Sequence, residues 1–395
     1  MKKLVFLSLN SVYAPNGPVV IHKIRISKIR DYILNNLYPI FVFKEGLITS
    51  ESIDDQKVSV KKRIKNRLSN IGLIVVHYVS RTKYLRVILF FYKLGVLKLY
   101  VDRYYNQKVT CDVMICDSEF ECFYALKKRK NNSKIVMYQH NDGYPCKMTF
   151  NQYPELKKFL WFIYRKKLDY TLKNLDGIIF LSEQFKNNFL SKYGGDGQKK
   201  LSVIPNGMPD KFKSKNTPND KIRIVCAGTI TKRKGQKIIV DSVIKLEPLL
   251  RNQFEFIICG DGPEYKVINE LINSMSLGNI IKLKGMCSNS VIIEEMINSD
   301  AVILMSEDEG MPLSIIEGMM TGCAVITTDV GCVREMISGN CGYIVNRNSY
   351  DLASLLTSIS LPTLESMGLR ARNRYLTNYS SDIMLKKEIE YYQNF

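Results

Sequence analysis

The chain has 395 residues, of which 46% are hydrophobic and 24% charged, a composition typical of a globular protein that excludes a long disordered tract. This length favours two domains of similar size, because a single hydrophobic core rarely grows beyond about 250–300 residues. The formal net charge of +19 lies in the first half: residues 1–200 contain 36 basic and 16 acidic side chains, whereas residues 201–395 contain 21 and 22.

Short apolar runs in the first half predict five strands. They are Lys3–Ser8, Tyr38–Phe43, Asp112–Cys116, Lys134–Tyr138 and Gly177–Leu181. With helical stretches between them, they predict a Rossmann-like α/β domain over residues 1–203. The N-terminus, residues 1–14, superficially resembles a signal peptide, but its apolar run is short and is interrupted by Ser8 and Asn10, so we interpret it as a strand.

A basic segment at about residues 58–105 alternates lysines and arginines with apolar runs such as Val87–Tyr92. This composition predicts a helix lying on an anionic membrane surface, and an ordinary amphipathic helix with a solvated basic face is the alternative. Arg86, Lys93 and Lys98 keep the segment from reaching the roughly 18 apolar residues that a spanning helix needs. No nucleic-acid-binding motif accompanies the charge, so we expect no nucleic-acid partner.

Two polar turns of the first half follow predicted strands. His140 comes after the strand that ends at Tyr138, which places it at the carboxyl edge of the sheet, and the alternative is a polar turn histidine without a role. Ser182 follows the strand Gly177–Leu181 and is interpreted as the N-cap of a helix. The other two histidines, His22 and His77, have no such sequence context.

The ten cysteines are scattered and form no C-x-x-C pair. Cys226 and Cys259 lie inside predicted buried strands. This pattern predicts reduced thiols, and therefore a cytosolic compartment.

The second half alternates strands and helices with short links. The predicted strands are Ile222–Gly228, Phe254–Gly260, Ile280–Lys284, Ala301–Met305 and Ala324–Thr327. This alternation predicts a parallel, doubly wound sheet over residues 204–374, followed by a terminal helix over residues 375–395.

Two glutamates, Glu309 and Glu317, flank the turn that follows the strand Ala301–Met305. Pro312 suits the start of a helix, so Glu309 is expected on the turn and Glu317 on the helix. A helix start offers unpaired backbone N–H groups and the positive end of a dipole, so the turn around Gly310 can hold phosphate or sugar oxygens. Carboxylates accept hydrogen bonds from sugar hydroxyls. The pattern predicts a nucleotide-sugar site.

Glycine turns also end the predicted strands Ile222–Gly228 and Phe254–Gly260. Gly228 opens a basic loop that contains Lys234, the natural contact for a diphosphate, and Gly260 ends the next strand. In an open parallel sheet, ligands bind beyond the carboxyl ends of the strands. We therefore expect these turns to converge on one crevice.

These motifs, in this order, resemble the retaining glycosyltransferases of family four, which have the GT-B fold of two Rossmann-like doubly wound domains facing a cleft. The matching segments are Pro205-Asn206-Gly207, Gly228 with Lys234-Gly235, Gly260-Asp261-Gly262-Pro263, and the Glu309 and Glu317 pair with Gly322 and Asp329 beyond it. They cover most of residues 200–340. The resemblance also implies that the terminal helix returns to pack on the first domain.

The resemblance implies a role for each matching residue. Lys234 contacts the donor diphosphate, Glu309 lies beside the donor sugar, Glu317 holds the ribose, and His140 approaches the reacting sugar from the opposite domain. The further donor-binding residues are Gly17, Gly228, Gly260, Gly310, Met311 and Leu313. Thr229 departs from the pattern, because the family usually has an arginine there as a second diphosphate contact. Either Lys232 or Arg233 compensates, or the site relies on Lys234 and the helix N-terminus alone.

The implied function is transfer of a sugar from a nucleoside diphosphate donor, most often UDP, to a lipid-linked or growing polysaccharide acceptor. We expect a peripheral protein on the cytoplasmic face of the cell membrane that needs neither cofactor nor metal. The alternative to a metal-free site is that three consecutive acidic residues, Glu307, Asp308 and Glu309, bind a divalent cation through their carboxylate oxygens. The alternatives for the whole chain are a nucleotide-sugar epimerase or hydrolase of the same fold, and an inactive adaptor that docks through its basic half.

Overall fold

The computed structural model describes residues 1–8, 17–43, 46–48, 94–95, 97–99, 101–102, 110–129, 132–145, 161–195, 199–214 and 220–395. The chain divides into two compact units. The first contains Met1–Ile204 together with Lys387–Phe395, and the second contains Pro205–Lys386. The basic segment at about 58–105 lies almost wholly outside the described residues.

The first unit is built on a seven-stranded sheet. Its strands are β1 (Lys2–Leu7), β2 (Leu37–Phe43), β3 (Gly46–Ile48), β4 (Val113–Cys116), β5 (Lys134–Gln139), β6 (Gly177–Phe180) and β7 (Lys200–Val203). Their order in the sheet is β3-β2-β1-β4-β5-β6-β7, and every pairing is parallel except that of β2 with β3. The chain therefore reverses its direction of winding between β1 and β4.

Five helices of the first unit connect these strands. They are α1 (Gly17–Ser27), α2 (Ile29–Leu34), α3 (Glu119–Lys128), α4 (Trp161–Asn174) and α5 (Glu183–Tyr193). Ser118 and Glu121 form a capping box at the start of α3, so the first turn of this helix is fixed directly after β4. Ser182 caps α5 by accepting a hydrogen bond from the backbone N–H of Phe185, as its sequence position predicted.

The second unit has a six-stranded sheet in which all pairings are parallel. Its strands are β8 (Ile222–Ala227), β9 (Phe254–Cys259), β10 (Ile281–Gly285), β11 (Ala301–Leu304), β12 (Ala324–Thr328) and β13 (Gly342–Val345). Their order is β10-β9-β8-β11-β12-β13. The winding reverses between β8 and β11, and this switch point is where doubly wound sheets bind ligands.

The helices of the second unit cover both faces of this sheet. They are α6 (Gln236–Lys245), α7 (Pro248–Arg251), α8 (Tyr265–Ser274), α9 (Asn289–Ile297), α10 (Leu313–Thr321), α11 (Val333–Met336), α12 (Ser349–Ser358) and α13 (Leu361–Asn378). The strands are consequently almost continuous apolar runs: Ala301–Leu304 is buried at every residue, as expected for a parallel strand covered on both sides.

The last helix, α14 (Ser381–Gln393), begins later than the sequence indicated, because Tyr375 lies inside α13. Its final residues belong to the first unit. There Tyr391 donates a hydrogen bond to the carbonyl of Lys200, and the Lys2 ammonium donates one to the carbonyl of Tyr392. The C-terminal end of the chain is therefore part of the first unit's structure.

All ten predicted strands are present, with ends that differ by one residue or less. The sequence analysis did not predict β3 or β13, which are short and lie at the sheet edges. Within the part of the chain that the structure describes, the cysteines are free thiols, and no helix combines the length and apolar character needed to cross a bilayer.

Candidate functional site

The switch point of the second sheet carries a lysine and a glutamate in direct contact. Lys234 lies in the loop after β8 and Glu309 in the loop after β11, and their Nζ and Oε1 atoms are 2.5 Å apart. The Ser306 hydroxyl donates a second hydrogen bond to the same Oε1 at 2.7 Å. The side chains of Lys234 and Glu309 are only 18% and 11% exposed. Two residues predicted to bind the donor are thus brought together at the expected edge of the sheet.

Two arginines surround this ion pair. Arg233 donates from Nη1 to the carbonyl of Asp308 at 2.5 Å and lies 3.8 Å from Glu309 Oε1. Arg347, which follows β13, donates to the carbonyl of Met305 at 3.1 Å and also to that of Lys232. The sequence analysis did not single out Arg347. Its hydrogen bonds join the loop after β8 to the end of β11 and so help to fix the position of Lys234.

Two glycines allow the neighbouring loops to approach closely. Gly260 has φ of 151°, and a Cβ atom there would lie 2.0 Å from the carbonyl oxygen of Gly228. A Cβ atom at Gly331 would lie 2.2 Å from the carbonyl oxygen of Gly310. No larger residue fits at either position, because contacts this short require the backbone to move. Gly228 and Gly260 therefore lie side by side at the ends of β8 and β9, as their sequence positions predicted.

The turn before α10 is held by backbone contacts. The N–H of Cys332 donates to the carbonyl of Gly310 at 3.2 Å, and the Met311 sulfur accepts a hydrogen bond from the N–H of Asn206. The helix itself begins at Leu313, and Pro312 precedes it without a side-chain cap. The first turn of α10 thus lies next to Glu309 and offers backbone N–H groups to an anion.

Glu317, in the second turn of α10, is part of a polar chain that the sequence analysis missed. Its Oε1 accepts a hydrogen bond from Asn289 Nδ2 at 2.9 Å, and Asn289 Oδ1 accepts one from the Lys211 ammonium at 3.1 Å. Burial raises the pKa of the Glu317 carboxyl, although Asn289 and Lys211 oppose this effect. A buried carboxylate with one oxygen held in place is suited to accept hydrogen bonds from the two hydroxyls of a ribose.

In the first unit, His140 lies directly after β5 and is hydrogen-bonded to a residue that the sequence analysis did not identify. Its Nε2 is 3.1 Å from Oδ1 of Asp117, which follows β4 at the switch point of that sheet. Asp117 Oδ2 is 2.9 Å from Nε2 of His22 on α1. His22 had been set aside for want of sequence context, and the structure corrects this: α1 carries it to Asp117.

Gly17 was predicted in a loop near the donor phosphates. It is the first residue of α1, and the residues between β1 and this helix lie outside the described part of the chain. Across the described residues, no group of three His, Cys, Asp or Glu side chains is arranged to hold a metal ion. Glu309, one member of the predicted acidic trio, is neutralised by Lys234.

Models of known protein families match both halves of the chain. The family model described as "Glycosyl transferases group 1" matches residues 208–367, and the one described as "Glycosyltransferase Family 4" matches residues 56–212. The first match contains the loops after β8, β9 and β11 that form the site described above. The two matches overlap at residues 208–212, shortly after the boundary between the two units.

Among curated proteins, the chain is 25% identical over 234 residues to a phosphatidylinositol N-acetylglucosaminyltransferase component of Arabidopsis thaliana, a match covering 57% of this chain and 51% of that protein. It is 24% identical over 179 residues to the putative colanic acid biosynthesis glycosyltransferase WcaL of Salmonella typhimurium, covering 42% and 44%. The chain thus spans about half the length of the curated relatives it matches.

Among solved structures, Anabaena Alr3699/HepE in complex with UDP and glucose aligns with a TM-score of 0.66 at 15% identity, over all of both chains. This likeness concerns the fold. Together, the two doubly wound sheets and the whole-chain alignment show the two-domain GT-B fold, and both family models that match the chain describe glycosyltransferases. The predicted fold class and enzyme class are confirmed.

Proposed function

We propose that the protein is a retaining glycosyltransferase that moves a sugar from a UDP-sugar donor to a lipid-linked or growing polysaccharide acceptor. The observation that carries the proposal is the pair of Lys234 and Glu309 at the switch point of the second sheet, 2.5 Å apart and largely buried. A buried ammonium beside a helix N-terminus is suited to a diphosphate, and a carboxylate beside it is suited to a sugar hydroxyl.

The proposed reaction breaks the bond between the anomeric carbon and the diphosphate oxygen. The acceptor oxygen bonds to the same face of that carbon, and UDP and the acceptor proton are released. Lys234 and the backbone N–H groups near Gly310 stabilise the leaving diphosphate, so this step needs no metal or other cofactor. Glu309 orients the sugar, Glu317 holds the ribose, and His140 binds at the reacting sugar.

Thr229 stands where the family pattern has a second cation for the diphosphate. Arg233 is the better candidate to replace it than Lys232, because the Arg233 guanidinium lies beside Glu309 whereas the backbone of Lys232 is bound by Arg347. A guanidinium can bind two phosphate oxygens at once. We therefore assign the second diphosphate contact to Arg233.

The choice of donor and acceptor draws on what the similar proteins are named for. Alr3699/HepE was solved with UDP and glucose, the Arabidopsis relative is named for transfer of N-acetylglucosamine to phosphatidylinositol, and WcaL is named for colanic acid biosynthesis. The net charge of +20 in residues 1–200 supports an anionic membrane surface as the place of action, on the cytoplasmic side.

The decisive experiment incubates the protein with a panel of radiolabelled UDP-sugars and a bacterial lipid extract. Label on a lipid or glycan supports transfer, label in an epimer or in free sugar would mean an epimerase or hydrolase, and absence of donor binding by calorimetry would mean an adaptor. NMR of the product's anomeric centre tests retention. Glu317→Ala is expected to abolish transfer, while Glu270→Ala, on the exposed face of α8, serves as the matched control.

The membrane surface has its own test. Flotation with liposomes should recover more protein with anionic than with neutral lipid, because the attraction is electrostatic. Equal recovery with both lipids would contradict the proposed role of the basic half.

A further inference from the structure

A continuous chain of buried polar groups leads from the C-terminal helix to His140 within the first unit. Glu388 on α14 binds Arg25 on α1, with Oε1 2.6 Å from Nη2, and Arg25 Nη1 lies 3.2 Å from Nδ1 of His22. His22 Nε2 lies 2.9 Å from one oxygen of Asp117, and His140 Nε2 lies 3.1 Å from the other. Arg25, Glu388 and His22 are almost fully buried.

The arginine determines which nitrogen of His22 carries the proton. A guanidinium has only donors, so Nδ1 of His22 must accept the hydrogen bond from Arg25 and can carry no proton. Burial lowers the pKa of His22 and outweighs the opposing charge and hydrogen bond of Asp117, and the Arg25 charge lowers this pKa further, which favours the neutral ring. Its single proton is therefore on Nε2, and that N–H donates to Asp117.

Asp117 in turn determines the proton position on His140. Burial opposes ionisation of this carboxyl, but the two histidines that are hydrogen-bonded to it hold its pKa well below the usual value. An ionised carboxylate only accepts hydrogen bonds. Nε2 of His140 must therefore be protonated and donate to Asp117.

The geometry leaves Nδ1 of His140 for a ligand. Among the residues that the structure describes, only Nε2 of this ring makes a hydrogen bond. The ring stacks on Tyr138, with centroids 5.1 Å apart and planes inclined by 22°, and the guanidinium of Arg25 lies 4.7 Å from the Tyr138 ring centroid. Stacking and the hydrogen bond to Asp117 together fix both the plane and the rotation of the imidazole.

We propose that Asp117 is a positioning residue, which holds His140 with its proton on Nε2 so that Nδ1 accepts a hydrogen bond from a hydroxyl of the transferred sugar. The chain of His22, Arg25 and Glu388 fixes Asp117 in this role, so the C-terminal helix contributes to the site through Glu388. That the ligand of Nδ1 is a sugar hydroxyl rests on the proposed function. The tautomer of His140 does not depend on that function, and it can be measured separately.

The substitution Asp117→Asn makes a sharp prediction about the proton. Because Arg25 keeps His22 as a donor at Nε2, the amide oxygen of the introduced asparagine must face His22, and its amide NH₂ group must face His140. Nε2 of His140 then becomes an acceptor, and its proton moves to Nδ1. The chain has three histidines, so ¹⁵N NMR of the imidazoles, assigned with His22→Gln and His77→Gln, reports the tautomer of each.

The expected result has three parts. The wild-type spectrum shows His22 and His140 protonated on Nε2, and Asp117→Asn shows His140 protonated on Nδ1. The kcat of transfer falls about tenfold in this variant, the effect of losing one hydrogen bond at the reacting sugar. Its Kd for UDP is unchanged, because Asp117 and His140 are assigned to the transferred sugar and not to the diphosphate or the ribose. Asp169→Asn makes the same charge change on the exposed face of α4 and should leave the histidine tautomers, the kcat of transfer and the Kd for UDP unchanged.

A wild-type His140 protonated on Nδ1, or unchanged turnover in Asp117→Asn, would overturn the inference. If the variant does not fold, the wild-type spectrum alone still decides between the two tautomers. Wild-type protein that neither binds UDP nor transfers sugar would contradict the proposed function, and the spectrum would then stand as the test of the buried chain.

Discussion

The ion pair of Lys234 and Glu309 leads to an unusual prediction about nucleotide affinity. In the structure, the lysine assigned to the diphosphate is already bound to a carboxylate, with Nζ 2.5 Å from Oε1. Binding of UDP must therefore replace this contact or share it. Glu309→Gln removes the competing charge while keeping a side chain of the same shape that still accepts the hydrogen bond from Ser306.

The size of the effect follows from the burial of the pair. Exposed ion pairs contribute about 0–1 kcal/mol, and breaking a fully buried one costs about 3–5 kcal/mol. This pair lies between these limits, because its side chains are 18% and 11% exposed. Releasing the lysine should thus favour UDP by about 1–2 kcal/mol, which corresponds to an affinity about five- to thirtyfold higher. Transfer should be lost in the same variant, because Glu309 is assigned to the sugar.

Calorimetry with UDP and a transfer assay measure the two quantities on the same protein. Lys234→Met is the opposing variant, and it should weaken UDP binding and reduce transfer together. Glu307→Gln, two residues before Glu309, is the matched control and should change neither. If Glu309→Gln bound UDP more weakly than the wild type, the reasoning that the carboxylate competes for the lysine would be wrong.

The remaining predictions concern buried polar groups. Because burial raises the pKa of Glu317 above its usual 4.5, the carboxyl takes up a proton as the pH falls through that raised value. The affinity for UDP should fall as this proton binds. Glu317→Gln should lack this pH-dependent loss of affinity when calorimetry compares the two proteins across pH. Asn289→Ala removes a donor from the same buried carboxylate and should weaken UDP binding about tenfold at pH 7.5, and unchanged affinity would contradict the assigned contact. Arg25→Met leaves the Glu388 carboxylate uncompensated and should lower the free energy of unfolding, measured by urea denaturation, by about 3–5 kcal/mol. The double variant Arg25→Met with Glu388→Leu should lower it by less than the sum of the two single changes.

The sequence alone determined the two parallel sheets and the position of most of the donor site. Buried parallel strands are short apolar runs that end in glycine turns, so β8, β9 and β11 could be located, and their carboxyl ends could be assigned to one edge. Lys234 and Glu309 lie in the loops where this reasoning placed them. Strand β13 was missed because Gly342–Val345 is short, lies at the sheet edge and is only partly buried, so it lacks a strong apolar pattern.

Only the tertiary structure brought together residues that are far apart in the chain. Glu388 and Arg25 are separated by 363 positions, and His22 and Asp117 by 95, so no local pattern links either pair. His22 looked uninformative because a histidine on a helix gives no indication that the residue after β4, far along the chain, will contact it. These contacts could not be predicted because the partners are far apart along the sequence. Hydrophobic periodicity indicates which face of a helix or strand is buried. Which side chain that face contacts depends on how the helices and strands pack.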